Sequence, residues 1–153
     1  MSKQRDKVRM TDDEVDSFLD AAKTLVVSTL GKDGAPHLTA LWFARQDDAI
    51  LFETYGSSQK VVNLRRDPRI AVLCEAGETY DQLRGVSIQG TAEIVDGGDR
   101  LAELMATVIR LNTPDLDPAA LAGHVEAMIR KRVVVVVHPR KVISWDHRKL
   151  ATT

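Results

Sequence analysis

The sequence has a single cysteine, almost no net charge and no long apolar run, and each shortage excludes a class of protein. Cys74 has no second cysteine with which to form an internal disulfide or a cysteine-based metal site. The 21 basic and 22 acidic residues leave a net charge of −1, so no overall field would hold a nucleic acid or an anionic membrane. No run of about 18 apolar residues is present, so no membrane-spanning helix is predicted.

The chain of 153 residues has the length of one domain built around a single core. Its first residues, MSKQRDKVRMTDDEV, lack the apolar region of a secretion signal, and we expect a soluble cytoplasmic protein that binds neither nucleic acid nor membrane. Residues 1–10 are charged and aperiodic, which predicts a mobile tail. Residues 11–153 then form the single predicted domain.

The motifs of metal-dependent and covalent catalysis are also missing. There is no G-x-S-x-G elbow and no Rossmann or Walker pattern, and Cys74 lies in the apolar run IAVLCEA, which favours a buried hydrophobe over a reactive thiol. We expect no metal site, because none of the histidines has a partner at metal-ligand spacing: His37, His124, His138 and His147. A chain without a catalytic group of its own fits an enzyme whose cofactor carries the reaction.

The first half of the chain predicts one helix followed by a series of antiparallel strands. A T-x-x-E capping box at Thr11 and Glu14 begins an amphipathic helix. The segments TLVVSTL, HLTALWFA and ILFET then predict a three-strand meander, with tight turns at GKDGAP and RQDDA. RIAVLCEA and RGVSIQGTAEIV predict a fourth and a fifth strand, with a bulge or bend at Gly90.

The second half predicts two helices and two further strands. Asp99 is the expected N-cap of one helix, and Asp117-Pro118 begins another that runs through Arg130. RVVVVVHP and RKVISWDHRKL read as separate strands, and the valines at 133–137 should be buried on both faces, under a helix or a second subunit. The predicted fold is α+β and mainly β: an antiparallel barrel of six to seven strands with flanking helices.

The segment TYGSSQKVVNLRRDPR predicts a short helix between Gly56 and Pro68, with Ser57 as its N-cap. The positive end of a helix dipole normally favours Asp or Glu in the first turn. The first turn predicted here has no acid but instead Ser58, Gln59 and Lys60. Two interpretations remain open: an ordinary Ser-capped surface helix, or a phosphate site in which backbone N–H groups, hydroxyls and the ammonium act together.

Three segments together resemble a known superfamily. LVVSTLGKDGAPHLTALWF, LFETYGSSQKVVNLRRDPRIAVLCE and VSIQGTAEIV are similar to the split-barrel flavin and deazaflavin oxidoreductases, which include pyridoxamine phosphate oxidase. The resemblance covers most of the chain and is carried by the GKDG-P turn, the S-x-K-x-x-N-L-x-x-D-P helix and the G-x-A-x-I strand. It implies a split barrel of the FMN-binding type, and a homodimer with two cofactor sites at the subunit interface.

The resemblance also implies which residues hold the cofactor. The helix start would hold the phosphoryl end, the second and third strands would line the ring, and two C-terminal residues would approach the cofactor of the other subunit. In that order, the implied residues are Lys60, Ser57, Ser58, Gln59 and Asn63; Thr39, Ala40, Leu41, Glu53 and Thr54; and Trp145 and Arg148.

Two departures from pyridoxamine phosphate oxidases bear on the cofactor and the substrate. Those enzymes carry an arginine immediately before the lysine, where this chain has Gln59, and their longer substrate-binding C-terminal segment is missing, so vitamin B6 oxidation is not expected. The segment NLRRDPR is more similar to the corresponding segment in the branch of the superfamily that uses the deazaflavin coenzyme F-420. The anionic polyglutamate tail of F-420 would suit a basic groove at Lys60, Arg65, Arg66 and Arg69, although the arginines also fit a solvated helix end.

The sequence therefore predicts an oxidoreductase that uses F-420 to transfer a hydride to a small conjugated or heterocyclic substrate. An FMN-dependent oxidase or reductase, and a flavin- or haem-binding carrier without catalysis, remain the alternatives. No side chain is identified as the proton donor, which leaves solvent or a backbone group to supply the proton.

Overall fold

The computed structural model describes residues 4–151, whose strands form one antiparallel sheet that curls into an open barrel. The strands are β1 (Thr24–Leu30), β2 (Pro36–Trp42), β3 (Ala44–Gln46), β4 (Ala49–Tyr55), β5 (Arg69–Ala76), β6 (Arg84–Val95) and β7 (Arg132–Asp146). The helices are α1 (Gln4–Val8), α2 (Asp12–Ala21), α3 (Gln59–Arg66), α4 (Gly98–Asn112) and α5 (Leu121–Ile129), with 3-10 turns at Tyr80–Gln82, Pro118–Ala120 and His147–Leu150. This arrangement confirms the predicted α+β split barrel.

The order of the sheet is β2-β1-β5-β6-β7-β4-β3, so β2 and β3 are its two edges. Within the described residues no hydrogen-bonded ladder joins β2 to β4, so the predicted three-strand meander is wrong at its third strand, and we call this opening the split. β3 is a short strand that the sequence did not predict; within residues 4–151 it pairs with β4 alone, through a turn in which Asp47 adopts a positive φ of 53°.

Two hydrophobic cores lie on the two faces of the sheet. The barrel core contains Leu25, Phe52 and Val72, and the outer core lies under α4 and α5, around Met105. β7 belongs to both, since its residues 135 and 137 face the barrel core while 134 and 136 face the outer core. All five valines at 133–137 are buried, as the sequence predicted, and helices of the same chain supply the outer cover.

β7 is one continuous strand of 15 residues, so the prediction of two separate strands is wrong. Gly90 of β6 pairs with Pro139, whereas Gln89 pairs with Lys141, which leaves one residue of β7 unmatched. This bulge lets the strand pass through a proline, which has no N–H to donate. Gly90 is required there because a Cβ would lie 2.3 Å from the carbonyl oxygen of His138.

Residues 4–10 of the predicted mobile tail include a short helix and two buried side chains, while residues 1–3 lie outside the described residues. α1 buries Val8, and the following Met10 is also buried, with its N–H donating to Ser144 Oγ at 3.2 Å. Two apolar residues in a charged segment are too few to produce a periodic pattern, although they are enough to anchor it. The capping box of α2 is confirmed: Glu14 N–H donates to Thr11 Oγ1 at 3.2 Å, and Thr11 N–H donates to Glu14 Oε2 at 2.7 Å.

The later helices begin at other residues than the sequence predicted. Gly97, not Asp99, is the N-cap of α4. Asp117 does cap, accepting from Ala119 N–H at 2.9 Å, but it opens a 3-10 turn before α5 begins at Leu121. None of the helices described is long and apolar enough to cross a membrane.

Candidate functional site

The first turn of α3 provides the candidate phosphate site. Ser58 is the N-cap rather than the predicted Ser57, and its side chain makes no capping hydrogen bond. The first turn therefore begins at Gln59 and includes Lys60, and it contains no acid. Ser57 remains exposed in the turn that precedes the helix. The N-cap lies one residue later than predicted, but the charge arrangement is still unfavourable, because a cation lies at the positive end of the helix.

Lys60 is held against β4 by a hydroxyl group. Its Nζ donates to Thr54 Oγ1 at 3.1 Å, and the same hydroxyl lies 3.4 Å from Ser58 Oγ. Burial lowers the pKa of Lys60 below its ordinary value of 10.5, against the opposing effect of the Glu53 charge. No carboxylate of residues 4–151 forms an ion pair with this ammonium. A half-buried cation at a helix N-terminus without a counter-charge fits a phosphoryl group, which would accept from the ammonium and the N–H groups together.

The far side of α3 is fixed to β1 by Asn63, which is fully buried. Its Nδ2 donates to Thr29 Oγ1 at 3.0 Å, and its Oδ1 accepts from Gln59 Nε2 at 2.8 Å. With its amide engaged on both sides, Asn63 positions Gln59 and the helix. α3 therefore spans the split, with Lys60 reaching β4 and Asn63 reaching β1.

The inner face of edge strand β2 carries two polar atoms without partners. Among the residues described, three buried side-chain polar atoms lack a hydrogen bond, and two of them are His37 Nδ1 and Thr39 Oγ1. His37 pairs in register with Thr29, the residue that Asn63 contacts, so these atoms adjoin α3. Buried unpaired polar atoms are costly and uncommon, so they fit a surface that a ligand completes. His37 was not predicted; its signal was the two-residue spacing that places it on the same face as Thr39.

The alternation of β-strands separates neighbours that the resemblance grouped together. On β2, Thr39 and Leu41 are half-buried, while Ala40 is exposed on the opposite face. On β4, Thr54 is buried beside Lys60, whereas Glu53 faces α4 and α5. A ring lying on one face of these strands would meet alternate side chains and only the backbone of the residues between them.

Glu53 forms an ion pair on the outer face of β4. Its Oε2 accepts from Arg132 Nη1 at 2.6 Å, and the Arg132 guanidinium lies 4.0 Å from the centre of the Tyr55 ring. Both partners of the ion pair are more than two-thirds buried, with side-chain exposures of 27% and 22%. Glu53 is therefore neutralised within the chain.

Trp145 and Arg148 lie at the opposite end of β7 from Lys60. β7 residue 133 pairs with Thr54 and residue 145 is twelve positions farther on, or about 40 Å along an extended strand. The Trp145 ring lies on Gly85, where a Cβ would be 2.2 Å from it, and the Arg148 guanidinium donates to both carboxylate oxygens of Asp146, at 2.9 and 2.6 Å. One chain does not bring these residues to its own Lys60.

The arginines of the predicted basic groove are all engaged with acceptors of the chain. Arg65 pairs with Asp96 at 3.2 Å, and Arg66 donates to the carbonyl oxygen of Leu30. The Arg69 guanidinium pairs with Asp67 at 2.7 Å and lowers the pKa of that carboxyl to about 2. These contacts support the interpretation of a solvated helix end.

Two other candidate chemistries find no support in the geometry of residues 4–151. Burial raises the pKa of the Cys74 thiol to about 12, and Sγ lies 3.4 Å from the carbonyl oxygen of Thr24, so this cysteine is the inert buried hydrophobe that the sequence predicted. The part of the chain that the structure describes contains no group of three or more His, Cys, Asp or Glu that could hold a metal ion.

Comparison with solved structures places this geometry among known proteins. The protein Rv2991 of Mycobacterium tuberculosis is 44% identical over 98% of this chain and 93% of its own, with a TM-score of 0.89. An F-420 reductase is 24% identical over 83% of this chain and 94% of its own, with a TM-score of 0.62. The haem storage protein HutZ of Vibrio cholerae is 14% identical over 87% of this chain and 94% of its own, with a TM-score of 0.66. The last two show the shared fold alone.

The comparison of sequences gives the family directly. No curated protein matches the sequence significantly. The family model described as pyridoxamine 5'-phosphate oxidase matches residues 11–146, which include every strand and the helix that carries Lys60. The chain therefore belongs to the pyridoxamine 5'-phosphate oxidase family of split barrels.

Proposed function

We propose that this protein is an oxidoreductase that binds F-420 and reduces a small conjugated or heterocyclic substrate. The observation that carries the proposal is Lys60, a half-buried ammonium at an acid-free helix start whose one side-chain partner within residues 4–151 is a hydroxyl. When bound, F-420 supplies the hydride chemistry, so the chain need only bind, orient and exclude water.

The residues of the site divide these tasks between them. The Lys60 ammonium, the Ser58 hydroxyl and the first N–H groups of α3 would hold the phosphoryl end. The unpaired atoms of His37 and Thr39 would hydrogen-bond to the polar edge of the cofactor. Asn63 would keep α3 at the distance that these contacts need, through its bonds to Thr29 and Gln59.

FMN is the second candidate cofactor, since the family model takes its name from an oxidase of that type and the same helix start would suit its phosphate. The structural neighbour described as an F-420 reductase supports the first choice. The neighbour described as a haem storage protein keeps a carrier without catalysis as the third, and absence of turnover by a cofactor-loaded protein would favour it.

We also propose that the protein is a homodimer with the cofactor at the subunit interface. The buried valines of β7 no longer argue for this, since α4 and α5 cover them. Support comes instead from the outer face of edge strand β2, where Leu38 is 64% and Trp42 is 56% exposed, with Ala40 between them. Light scattering should show a dimer at micromolar concentration, and a stable monomer would contradict an interface site.

The decisive experiment replaces Lys60 by alanine. A charge-assisted contact to phosphate is worth about 1.5–3 kcal/mol, so Lys60→Ala should weaken F-420 binding by roughly ten- to a hundredfold. The stability of the cofactor-free protein should stay the same or rise by a few tenths of a kcal/mol, because a cation leaves the positive end of the helix. Fluorescence titration and urea unfolding measure the two quantities.

Lys7→Ala is the matched control, since Lys7 is an exposed lysine on α1. Lys7→Ala should change neither the affinity for F-420 nor the stability of the cofactor-free protein. Titrating F-420 and FMN in parallel ranks the two cofactors. If Lys60→Ala binds both as tightly as the wild type, Lys60 is not a phosphate ligand and the proposed site is wrong.

A further inference from the structure

A pocket lies beneath α4 and α5, on the opposite face of β4 from Lys60. Its volume is about 350 Å³, within the range of small-molecule sites. Leu41 and Trp42 of β2 form one wall, Glu53 of β4 the base, and Val108 of α4 and Met128 of α5 the cover. We call it the α4–α5 pocket.

The pocket presents no unpaired charge. Among the described residues that line it, Glu53 is the one carboxylate and none is a lysine or arginine, and Glu53 is neutralised by Arg132 at 2.6 Å. Asn112 Nδ2 donates to the carbonyl oxygens of Phe43 and Val108, at 3.0 and 2.9 Å, and the Thr113 hydroxyl donates to the Ile109 carbonyl. A charged ligand would have to leave water without gaining a counter-charge, so the pocket favours a neutral and largely apolar one.

Two hydrogen-bond acceptors of the described residues remain available at the pocket. His124 Nδ1 lies 3.0 Å from the carbonyl oxygen of Ala120, and because a carbonyl only accepts, Nδ1 carries the hydrogen. Nε2 of the neutral ring is then an acceptor at the exposed mouth of the pocket. Asn112 Oδ1 accepts no hydrogen bond from any residue that the structure describes. A ligand with an N–H or O–H group matches both atoms.

The pocket adjoins the proposed cofactor site through the split. Leu41 lines the pocket and also packs on the barrel core, so it belongs to both sides of the opening. Glu53 faces the pocket, while the next residue, Thr54, accepts from Lys60 on the other face of β4. A molecule in the pocket and a ring bordered by Thr39 and Leu41 would share the same strand edge.

From these observations we propose that the α4–α5 pocket is the substrate site, and that its substrate is a neutral aromatic or heteroaromatic molecule with an N–H or O–H donor. The assignment as a substrate site rests on the proposed function. The ligand class rests on the lining of the pocket alone, so it can be tested without cofactor.

The test uses the neutral fluorescent probe N-phenyl-1-naphthylamine on the cofactor-free protein. Its emission should rise and saturate as the pocket fills. In a Trp145→Phe background, Trp42 is the one remaining tryptophan, and its emission should fall in parallel because it lines the pocket. 2-Naphthol should displace the probe, whereas 2-naphthoate, of similar shape but charged, should displace it at least about tenfold less well.

Two leucines of the same region give a matched pair of variants. Leu116 lines the pocket from a loop, whereas Leu111 is 56% exposed on α4 and lies outside it. Leu116→Arg should weaken probe binding by about tenfold or more, and Leu111→Arg should leave it unchanged. His124→Phe, at an exposed position, should lower the preference for 2-naphthol over 2-methylnaphthalene by about three- to tenfold, and it keeps the test open if Leu116→Arg does not fold.

The outcomes separate this proposal from the cofactor assignment. Absence of saturable binding, equal displacement by 2-naphthoate, or equal effects of the two arginine variants would overturn the pocket proposal and leave F-420 binding at Lys60 untouched. Probe binding with the expected selectivity in a protein that binds neither F-420 nor FMN would overturn the proposed function and the substrate role with it, while the ligand class would stand.

Discussion

The helices α2 and α3 begin in opposite ways, although both follow an extended residue. α2 has a complete capping box at Thr11 and Glu14, and its first turn contains three acids. α3 has a serine at the N-cap that makes no capping bond, no acid in its first turn, and Lys60 where an acid would be favourable. The chain thus contains a helix start arranged for stability and, about fifty residues later, one that is not.

The difference is confined to one end of α3. Its last turn contains Arg65 and Arg66, which suit the negative end of the helix dipole. A missing cap costs about 1 kcal/mol and a cation at the positive end about 0.3–1 kcal/mol. A helix that has favourable charges at its C-terminus and an unfavourable one at its N-terminus is what we expect if the first turn binds a phosphoryl group, as proposed.

The largest expected effect comes from giving α3 the kind of start that α2 has. Ser58→Asp supplies a capping carboxylate, so the free energy of unfolding of the cofactor-free protein, measured in urea, should rise by about 0.5–1 kcal/mol. The same charge would face the proposed phosphoryl group, so F-420 affinity should fall by about tenfold or more.

Ser58→Asn is the control for this change, since it offers a neutral cap of nearly the same size. It should keep part of the gain in stability and lose much less affinity. Equal affinities for the wild type and Ser58→Asp would show that no phosphoryl group lies at this helix end.

An intermediate effect is expected from removing the cap of α2. Thr11→Ala loses the hydroxyl that accepts from Glu14 N–H, and the free energy of unfolding should fall by about 1 kcal/mol. F-420 affinity should not change, because α2 does not contribute to the site at α3. Thr11→Ser retains the hydroxyl and should behave as wild type; a loss of affinity in Thr11→Ala would show that the two helix starts are coupled.

The smallest effect concerns pH at the start of α2. The hydrogen bond from Lys149, followed by that from Thr11 N–H, lowers the pKa of Glu14 below its ordinary value of 4.5. A carboxyl whose pKa is lowered in the folded state stabilises the protein at pH values above its pKa in the unfolded state. This contribution is lost as the pH falls through its pKa in the folded state. Glu14→Gln keeps an acceptor for Thr11 N–H but not the charge.

The urea midpoint of Glu14→Gln should therefore be lower than that of the wild type at pH 7, and the two should converge as the pH falls below about 4.5. Midpoints measured at several pH values test this. A constant difference across the whole range would mean that the charge of Glu14 is not the cause.

The sequence was sufficient where a local pattern determines the structure. β-rich segments between turn clusters predicted most of the strands, T-x-x-E predicted the capping box at Thr11, and five consecutive valines predicted a strand buried on both faces. The same local rules misplaced the N-cap of α3 by one residue, because adjacent serines at 57 and 58 are equally good caps. β7 was divided at Pro139 because the bulge that accommodates the proline, at residue 140, depends on how β7 pairs with Gly90 of another strand, β6.

The candidate site was predictable only in part, because several of its features depend on strand alternation and on packing between distant segments. The resemblance identified Lys60, which the structure places at the start of α3, but it grouped Glu53 with Thr54 and Ala40 with Leu41, which alternate between faces. His37 was missed because an unpaired buried atom is a property of the packed structure. The α4–α5 pocket was missed because its volume depends on how far two helices lie from an edge strand.

The burial of β7 on both faces has a consequence for how the domain opens. Because residues 134 and 136 pack in the outer core and residues 135 and 137 in the barrel core, β7 can leave the sheet only if it is withdrawn from both cores. The backbone amides of this strand should therefore exchange with deuterium only through global unfolding, at rates that report the whole free energy of the domain. The start of α3, which lies outside that shared wall, is free to exchange faster, so ligand binding there can slow local exchange without changing the rate in β7.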